Sequence, residues 1–390
     1  MDKRITKQFL NEFGSISFET VFWDGETMKI GGGDPEFRAY FHKPLKAIPL
    51  IRSTSLSLGE LYMNGDIEID GDLYQALDVF LSQFQNFSTT YRLLPKIFHK
   101  SFGLKTEKHN ISHHYDLGNE FYKLWLDETL SYSCGYFIKD TDTLYDAQMN
   151  KIHYILKKIQ LKEGEWLLDI GCGFGSLLIE AAKKYKANCV GITLSKEQYR
   201  ECMKKIKAQH LENQIQIFYM NYQELSTLPF RFDKIVSVGM LEHVGREQYP
   251  YFFQQINSVL KDKGVLLLHF ISSLKESDGD AFIKKYIFPG GIIPTLREII
   301  STGTNYAFHT LDVESLRLHY NKTLLCWYHN FNRNLPTLEK EFETNFIRMW
   351  QLYLASCAAM FHNGYIDLHQ VVFSKGANNG LETTRHHLYQ

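Results

Sequence analysis

Three glycines at alternate positions follow an aspartate in the stretch 166–177, which reads WLLDIGCGFGSL. Asp169 lies near the end of an apolar run with the pattern of a buried strand. Gly171, Gly173 and Gly175 crowd the turn before a helix that opens at Ser176. A strand that ends in glycines and opens a helix lets backbone N–H groups approach a ligand with no Cβ in the way. A glycine triplet alone also suits a plain turn. Here a second strand-helix unit, residues 187–209, follows directly, and the two together read as a nucleotide-type pocket. The spacing is G-x-G-x-G and not G-x-G-x-x-G, which disfavours a dinucleotide. Six cysteines, at 134, 172, 189, 202, 326 and 357, form no C-x-x-C pair, so neither a zinc ribbon nor a disulfide framework is expected.

The elements that must position this turn alternate between strand and helix. Strands are expected at Trp166–Ile170, at NCVGIT ending on Thr193, near Gln214–Tyr219, at FDKIVSVG and at GVLLLHFIS, with helices such as Lys196–Gln209 and Gln248–Leu260 between them. That alternation means a parallel sheet with right-handed crossovers, whose ligands sit beyond the carboxyl ends of the strands. The residues to read are therefore the glycine turn, Thr193, Gly239 to His243, and His269. Many nucleotide folds place an acid at the end of the second strand for the ribose hydroxyls; this chain has Thr193 there.

The remainder is built differently. With 390 residues, two domains are the natural expectation. Residues 16–70 hold short strand-like pieces, SISFETVFW, TMKIGG, EFRAYF and GELYMNGDIEIDGDL, and Leu73–Phe87 reads as an amphipathic helix. The expected division is 1–85 as an N-terminal lipid- or membrane-associated α+β domain, 86–110 as a linker and 111–390 as the catalytic domain. The segment 91–108 is basic and interleaved with Leu, Ile and Phe, and Pro95 interrupts any helix in it. It suits contact with an anionic membrane surface or an ordinary linker that docks on the catalytic domain. A hydrophobic content of 44% and a net charge of −1 indicate a globular protein and give no sign of nucleic-acid binding. No apolar run reaches the ~20 residues that span a bilayer, and the N-terminus lacks the apolar core of a signal peptide, so a cytoplasmic location is expected.

D-x-G-x-G-x-G after a first strand resembles the adenosyl-methionine loop of Rossmann-like methyltransferases. A narrower resemblance lies in seven motifs in fixed order: HHYDLGNEFYKLWLDETLSYSCGYF (113–137), LLDIGCGFGSL (167–177), GITLSKEQ (191–198), VGMLEHVG (238–245), YIFPGGIIP (286–294), HYNKTLLCW (319–327) and YIDLHQVVFSKG (365–376). In these the chain resembles cyclopropane-fatty-acyl-phospholipid synthases, and its catalytic region is similar to mycolic-acid cyclopropane synthases. The resemblance implies a Rossmann-like class I methyltransferase domain with a smaller N-terminal α+β domain. It implies S-adenosyl-L-methionine as cofactor, bicarbonate as base, and an unsaturated phospholipid reached by peripheral contact with the inner face of the membrane. Family positions that bind bicarbonate match Glu242, His269 and Tyr320, with Cys134 and Ile271 offering backbone N–H groups. Cofactor positions match Tyr132, Ser133, Asp169, Gly171, Cys172, Gly173, Thr193 and Gln198, with Tyr222 and Gln223 on the adenine side. His114–Asp116 open a segment expected to cover the cofactor. Cys357 matches a family cysteine. A nucleophilic role would need a basic neighbour, and none lies close in sequence.

In the family reaction an alkene attacks the sulfonium methyl, and loss of a proton from that methyl closes the ring. The protein must dry the site, align the reactants and accept a proton. Each of these residues also has a plain structural reading: Glu242 as a solvated acid opening a helix, His269 as a satisfied core histidine, Tyr320 as a packing tyrosine. Two other functions stay open: methyl transfer without ring closure, and a non-catalytic lipid carrier. The oligomeric state, a homodimer included, is also open.

Overall fold

The computed structural model describes residues 2–11, 13–46, 49, 53–83 and 117–389. The expected linker, the basic segment 91–108 and His114–Asp116 lie outside the described residues. The chain forms two compact units. The first comprises Met1–Gly103, Asp280–Pro289 and Leu324–Tyr365; the second comprises Leu104–Gly279, Gly290–Thr323 and Ile366–Gln390.

The first unit is α+β. Strands β1 (Phe18–Phe22), β2 (Thr27–Ile30), β3 (Arg38–Phe41) and β4 (Ile67–Asp70) form a sheet in the order β2-β1-β3-β4. Only the central pair, β1 and β3, is parallel. Alternation along β1 turns Phe18, Thr20 and Phe22 inward, onto a core that includes Phe9, Phe13 and Phe41. Two expectations change here. GELYM is not strand: Ser53 accepts the Leu56 N–H and caps a helix over Thr54–Met63, so only Ile67–Asp70 of that stretch pairs in the sheet. The helix that starts at Leu73, capped by Asp72, ends at Ser82.

The third stretch of this unit carries the helix Thr344–His362. Its Arg348 donates to the carbonyls of Tyr62 (2.6 Å) and Ile67 (3.0 Å), and Asp78 accepts from Asn363 Nδ2 and pairs with His362, each at 2.7 Å. These bonds group residues 324–365 with the first unit, whereas the sequence places them in the catalytic domain.

The second unit is built on a seven-stranded sheet in the order β10-β11-β9-β8-β5-β6-β7. The strands are β5 (Trp166–Ile170), β6 (Asn188–Thr193), β7 (Ile215–Tyr219), β8 (Phe232–Val238), β9 (Leu260–Ser273), β10 (Phe308–Ser315) and β11 (Ile366–Lys375). The first five are parallel, as the alternation predicts. β11 and β10 are antiparallel additions, so the sheet is mixed and not wholly parallel. The chain runs outward from β5 through β6 to β7, then returns to β8 on the other side of β5. This reversal opens a crevice at the carboxyl ends of β5 and β8, where α/β sheets place their ligands.

Candidate active site

The crevice holds a cavity of about 170 Å³. The turn after β5 forms its floor. Gly171 has φ +84°, and a Cβ there would lie 3.0 Å from the Met240 side chain; Gly173 has φ +54° and open space where its Cβ would stand. The turn is folded back on the sheet, because the N–H groups of Gly171 and Cys172 both donate to the Ile192 carbonyl at 3.0 Å. At the end of β6, Thr193 Oγ1 donates to Gln198 Oε1 (2.8 Å) and accepts the Ser195 N–H (3.1 Å). Every residue expected around a cofactor lines this cavity except Gln223. Its N–H donates to Asn221 Oδ1 and its carbonyl accepts from Tyr251, so Asn221 and Tyr222 face the cavity instead. Cys172 packs into the sheet: a Cβ at Gly191 would meet its sulfur at 2.9 Å, and Cys202 and burial push its thiol up.

Charge in the cavity is sparse and buried. Asp169 is 3% exposed, burial pushes its carboxyl up to about 7, and its Oδ1 has no hydrogen-bond partner. Lys151 is 4% exposed and burial lowers its ammonium to about 8. It donates to Ser133 Oγ (2.9 Å) and Gln148 Oε1 (2.6 Å), while Gln148 Nε2 donates to the Ser133 carbonyl (2.8 Å). His243, half-buried, is held neutral by desolvation, with its pKa down to about 4. The sequence reading missed Lys151. Its signal was spacing: Ala147, Lys151 and Ile155 fall four apart on the buried side of the helix Leu144–Lys158.

A second group of residues forms a continuous patch through the backbone. Glu242 follows β8, and its Oε1 accepts the Ile271 N–H at 2.7 Å. Ile271 pairs with Leu368 across β9 and β11. The Leu368 carbonyl accepts the Leu316 N–H (2.8 Å), and the Leu316 carbonyl accepts the Tyr320 N–H (3.0 Å) and contacts Cys134 Sγ (3.9 Å). His269 stands two residues before Ile271 on β9, paired with Gln370 and Val238; its carbonyl accepts the Gly239 N–H at 2.8 Å. Gly239 and Ser133, the neighbour of Cys134, also line the cavity. The patch thus adjoins the crevice.

Three side-chain atoms in this patch are buried and unpartnered: Glu242 Oε2, His269 Nε2 and Gln370 Oε1. Burial pushes Glu242 up to about 7, against the Ile271 N–H that favours its charged form. Burial also drives His269 well below its usual range, so the ring is neutral. Gln370 Nε2 donates to His269 Nδ1 at 3.1 Å, which puts the ring proton on Nε2. One expectation changes: the Ile271 N–H is given to Glu242. Cys357 belongs to the first unit, and burial, with Asp280 adding, pushes its thiol up to about 12, which leaves it no thiolate near neutral pH.

Sheet order, glycine turn and cavity define a Rossmann-like class I methyltransferase domain. Residues 102–371 match the mycolic acid cyclopropane synthetase family, and the chain belongs to that family. Residues 5–91 match a domain of unknown function. The chain is 37% identical to the cyclopropane-fatty-acyl-phospholipid synthase of Escherichia coli over 86% of its length and 87% of the relative's. It is 35% identical to a probable fatty acid methyltransferase of Pseudomonas putida, over 94% of its length and 95% of the relative's. It is similar to the crystal structure of mycolic acid cyclopropane synthase CmaA1 complexed with SAH and CTAB, with TM-score 0.64 and 34% identity, covering 69% of this chain and 98% of that one. It is an S-adenosyl-methionine-dependent transferase of the methyltransferase class.

Proposed function

We propose that this chain is a cyclopropane-fatty-acyl-phospholipid synthase. It adds one methylene group from S-adenosyl-L-methionine across the cis double bond of an unsaturated phospholipid acyl chain, with bicarbonate as the base. The observation that carries this reading is the pair of unpartnered buried atoms, Glu242 Oε2 and His269 Nε2, beside the cavity. A buried polar atom left alone is costly. One small group that both donates and accepts would satisfy the two together. Bicarbonate has an O–H for Glu242 Oε2 and oxygens that accept from His269 Nε2–H.

The cavity residues fit the cofactor. Its methionine end carries an ammonium and a carboxylate, and the cavity offers the orphaned Asp169 Oδ1 and the Lys151 ammonium. The open space at Gly173 leaves the backbone accessible, the Thr193–Gln198 pair suits ribose hydroxyls, and Asn221 and Tyr222 suit the adenine side. When bound, adenosyl-methionine supplies a methyl group on a positively charged sulfur that an alkene can attack. Lys151 and Gln148 hold Ser133, and with it the segment that leads into Cys134. Glu242 and His269 would hold bicarbonate, which would supply the base that takes the proton. Tyr320, 8% exposed, helps keep that patch dry, so that water does not intercept the cation. Cys134 and Ile271 act through their backbones, Ile271 by aiming the Glu242 carboxylate.

No helix among the described residues is long and apolar enough to cross a membrane. We place the enzyme on the inner face of the cytoplasmic membrane by peripheral contact. Incubation with adenosyl-methionine and vesicles of a monounsaturated phospholipid, followed by acyl-chain analysis, tests the whole reading. Chains that gain one CH₂ and lose reactivity toward double-bond reagents support it. Chains that gain a methyl branch and keep a double bond would replace it with methyl transfer without ring closure.

A further inference from the structure

We infer that the first unit binds a long acyl chain in a cavity of its own, independently of the catalytic reading above. This cavity measures about 490 Å³, and the described residues that line it all belong to that unit. The sheet contributes Phe18 from β1, Ala39 and Phe41 from β3, and Ile67 and Ile69 from β4; the other walls come mainly from the helix Thr54–Met63 and from the pair of helices Leu73–Ser82 and Thr344–His362. This volume far exceeds the ~150 Å³ at which a dry apolar cavity already takes up benzene.

The shape and chemistry of the walls select the ligand. Lining residues run from Leu73 to Leu81 on one helix and from Leu352 to Met360 on the other. At 1.5 Å per residue, each row is about 12 Å long, which suits an extended ligand better than a compact one. Most polar side chains on the wall are engaged elsewhere. Asp280 accepts the N–H groups of Phe282 and Ile283, Tyr365 donates to the Leu81 carbonyl at 2.7 Å, and Ser356 donates to the Tyr353 carbonyl at 3.2 Å. The ring of Tyr62 is covered by the Arg348 guanidinium at 4.2 Å, and Thr54 has a partner of its own. A polar ligand would lose its hydration and find few partners here. A hydrocarbon chain needs none and gains by leaving water.

The test uses the full-length protein and a palmitate analogue with a diazirine at mid-chain. After irradiation, cross-linked residues are mapped by mass spectrometry; a second arm uses a phosphatidylcholine carrying the same chain. We expect adducts on walls of this cavity, on Phe18, Leu352 or Met360 for example. They should fall at least fivefold in Ala76→Phe or Ala39→Phe, which fill the cavity from one helix and from β3. Adenosyl-methionine affinity should be unchanged in both variants. Labelling in the first arm assigns free fatty acid as a source, and labelling in the second assigns phospholipid; either supports the site. A wild-type protein that binds adenosyl-methionine but carries no adduct on these walls overturns the proposal. This decision does not depend on either variant folding. Unchanged labelling in a variant that retains wild-type cofactor affinity overturns it as well. Labelling that vanishes while cofactor binding persists cannot come from failure of the catalytic site.

Discussion

Glu242 combines a backbone hydrogen bond on one oxygen with nothing on the other, inside a site that favours its neutral form. Glu242→Gln keeps the shape and removes the charge. Turnover is expected to fall at least tenfold, about 1.4 kcal/mol in barrier, with cofactor affinity by calorimetry unchanged within about twofold. Wild-type turnover would end the proposed role. Stability should respond to pH with a definite sign. The folded carboxyl holds its proton up to about 7, against 4.5 for the ordinary group, so the native state binds more protons between those values. Wild-type stability therefore declines as pH rises through that window, and Glu242→Gln escapes the decline, by at most about 3 kcal/mol. Thermal unfolding at pH 5 and pH 8 checks this: the variant's advantage should grow with pH. At Lys151 the expected result is a selective loss. Lys151→Met should weaken adenosyl-methionine binding at least tenfold, yet hardly alter binding of the decarboxylated analogue, which has no carboxylate to meet the ammonium. Equal losses for both ligands would reduce Lys151 to a packing role. The positions of Glu242 and His269 were legible from the apolar runs of β8 and β9, Glu242 just past the end of one and His269 inside the other. Lys151 was not, because nothing in its residue type announces that a lysine is buried.

Secondary-structure elements were legible in proportion to how strongly burial marks them. Strands β5, β6 and β8 are short runs closed or followed by Gly or Thr, and their expected bounds match within a residue, whereas β9 begins at Leu260, four residues before its expected apolar run. The helix Thr54–Met63 escaped because Gly59 sits in its middle and its apolar residues form no stripe at helical spacing. The missing Cβ of Gly59 has a use, since one would come within 2.4 Å of the Phe282 ring. The antiparallel return of β11 onto β9 escaped for another reason: strand direction depends on long-range pairing that no local pattern encodes. At the glycine turn, Gly173→Val places a branched side chain in the open space of the cavity and forces an L-residue to φ +54°. Cofactor affinity should drop at least tenfold, with a folding cost of about 1–2 kcal/mol. Normal cofactor binding by a folded variant would mean that the turn is not part of the cofactor site.

For the molecule as a whole, a net charge of −1 gives no long-range attraction to an anionic surface. The proposed membrane contact must then be local, and the basic residues Arg92, Lys96, Lys100 and Lys105 are its candidates. Neutralising all four should remove roughly 1 kcal/mol each from binding to anionic vesicles at low salt. The loss should shrink as salt rises, because screening already weakens the wild type. Sedimentation of the quadruple variant with anionic vesicles as efficient as wild type would move the contact elsewhere. That residues 324–365 group with the first unit was not legible in the sequence, because the bonds of Arg348 and His362 join positions far apart in sequence.

The three-part make-up of the first unit also sets a timetable at the ribosome. Its sheet is encoded before residue 104, yet the helix Thr344–His362 that carries one wall of its cavity is made roughly 240 residues later. At ~5–20 residues per second, the gap is on the order of ten seconds to nearly a minute. Throughout that interval Phe18, Phe41 and the helix Leu73–Ser82 have no closing partner, while the whole methyltransferase sheet up to β10 is being made. The nascent chain must therefore carry an unfinished apolar surface through most of its own synthesis, and a trigger-type holding chaperone should be found on it during that period.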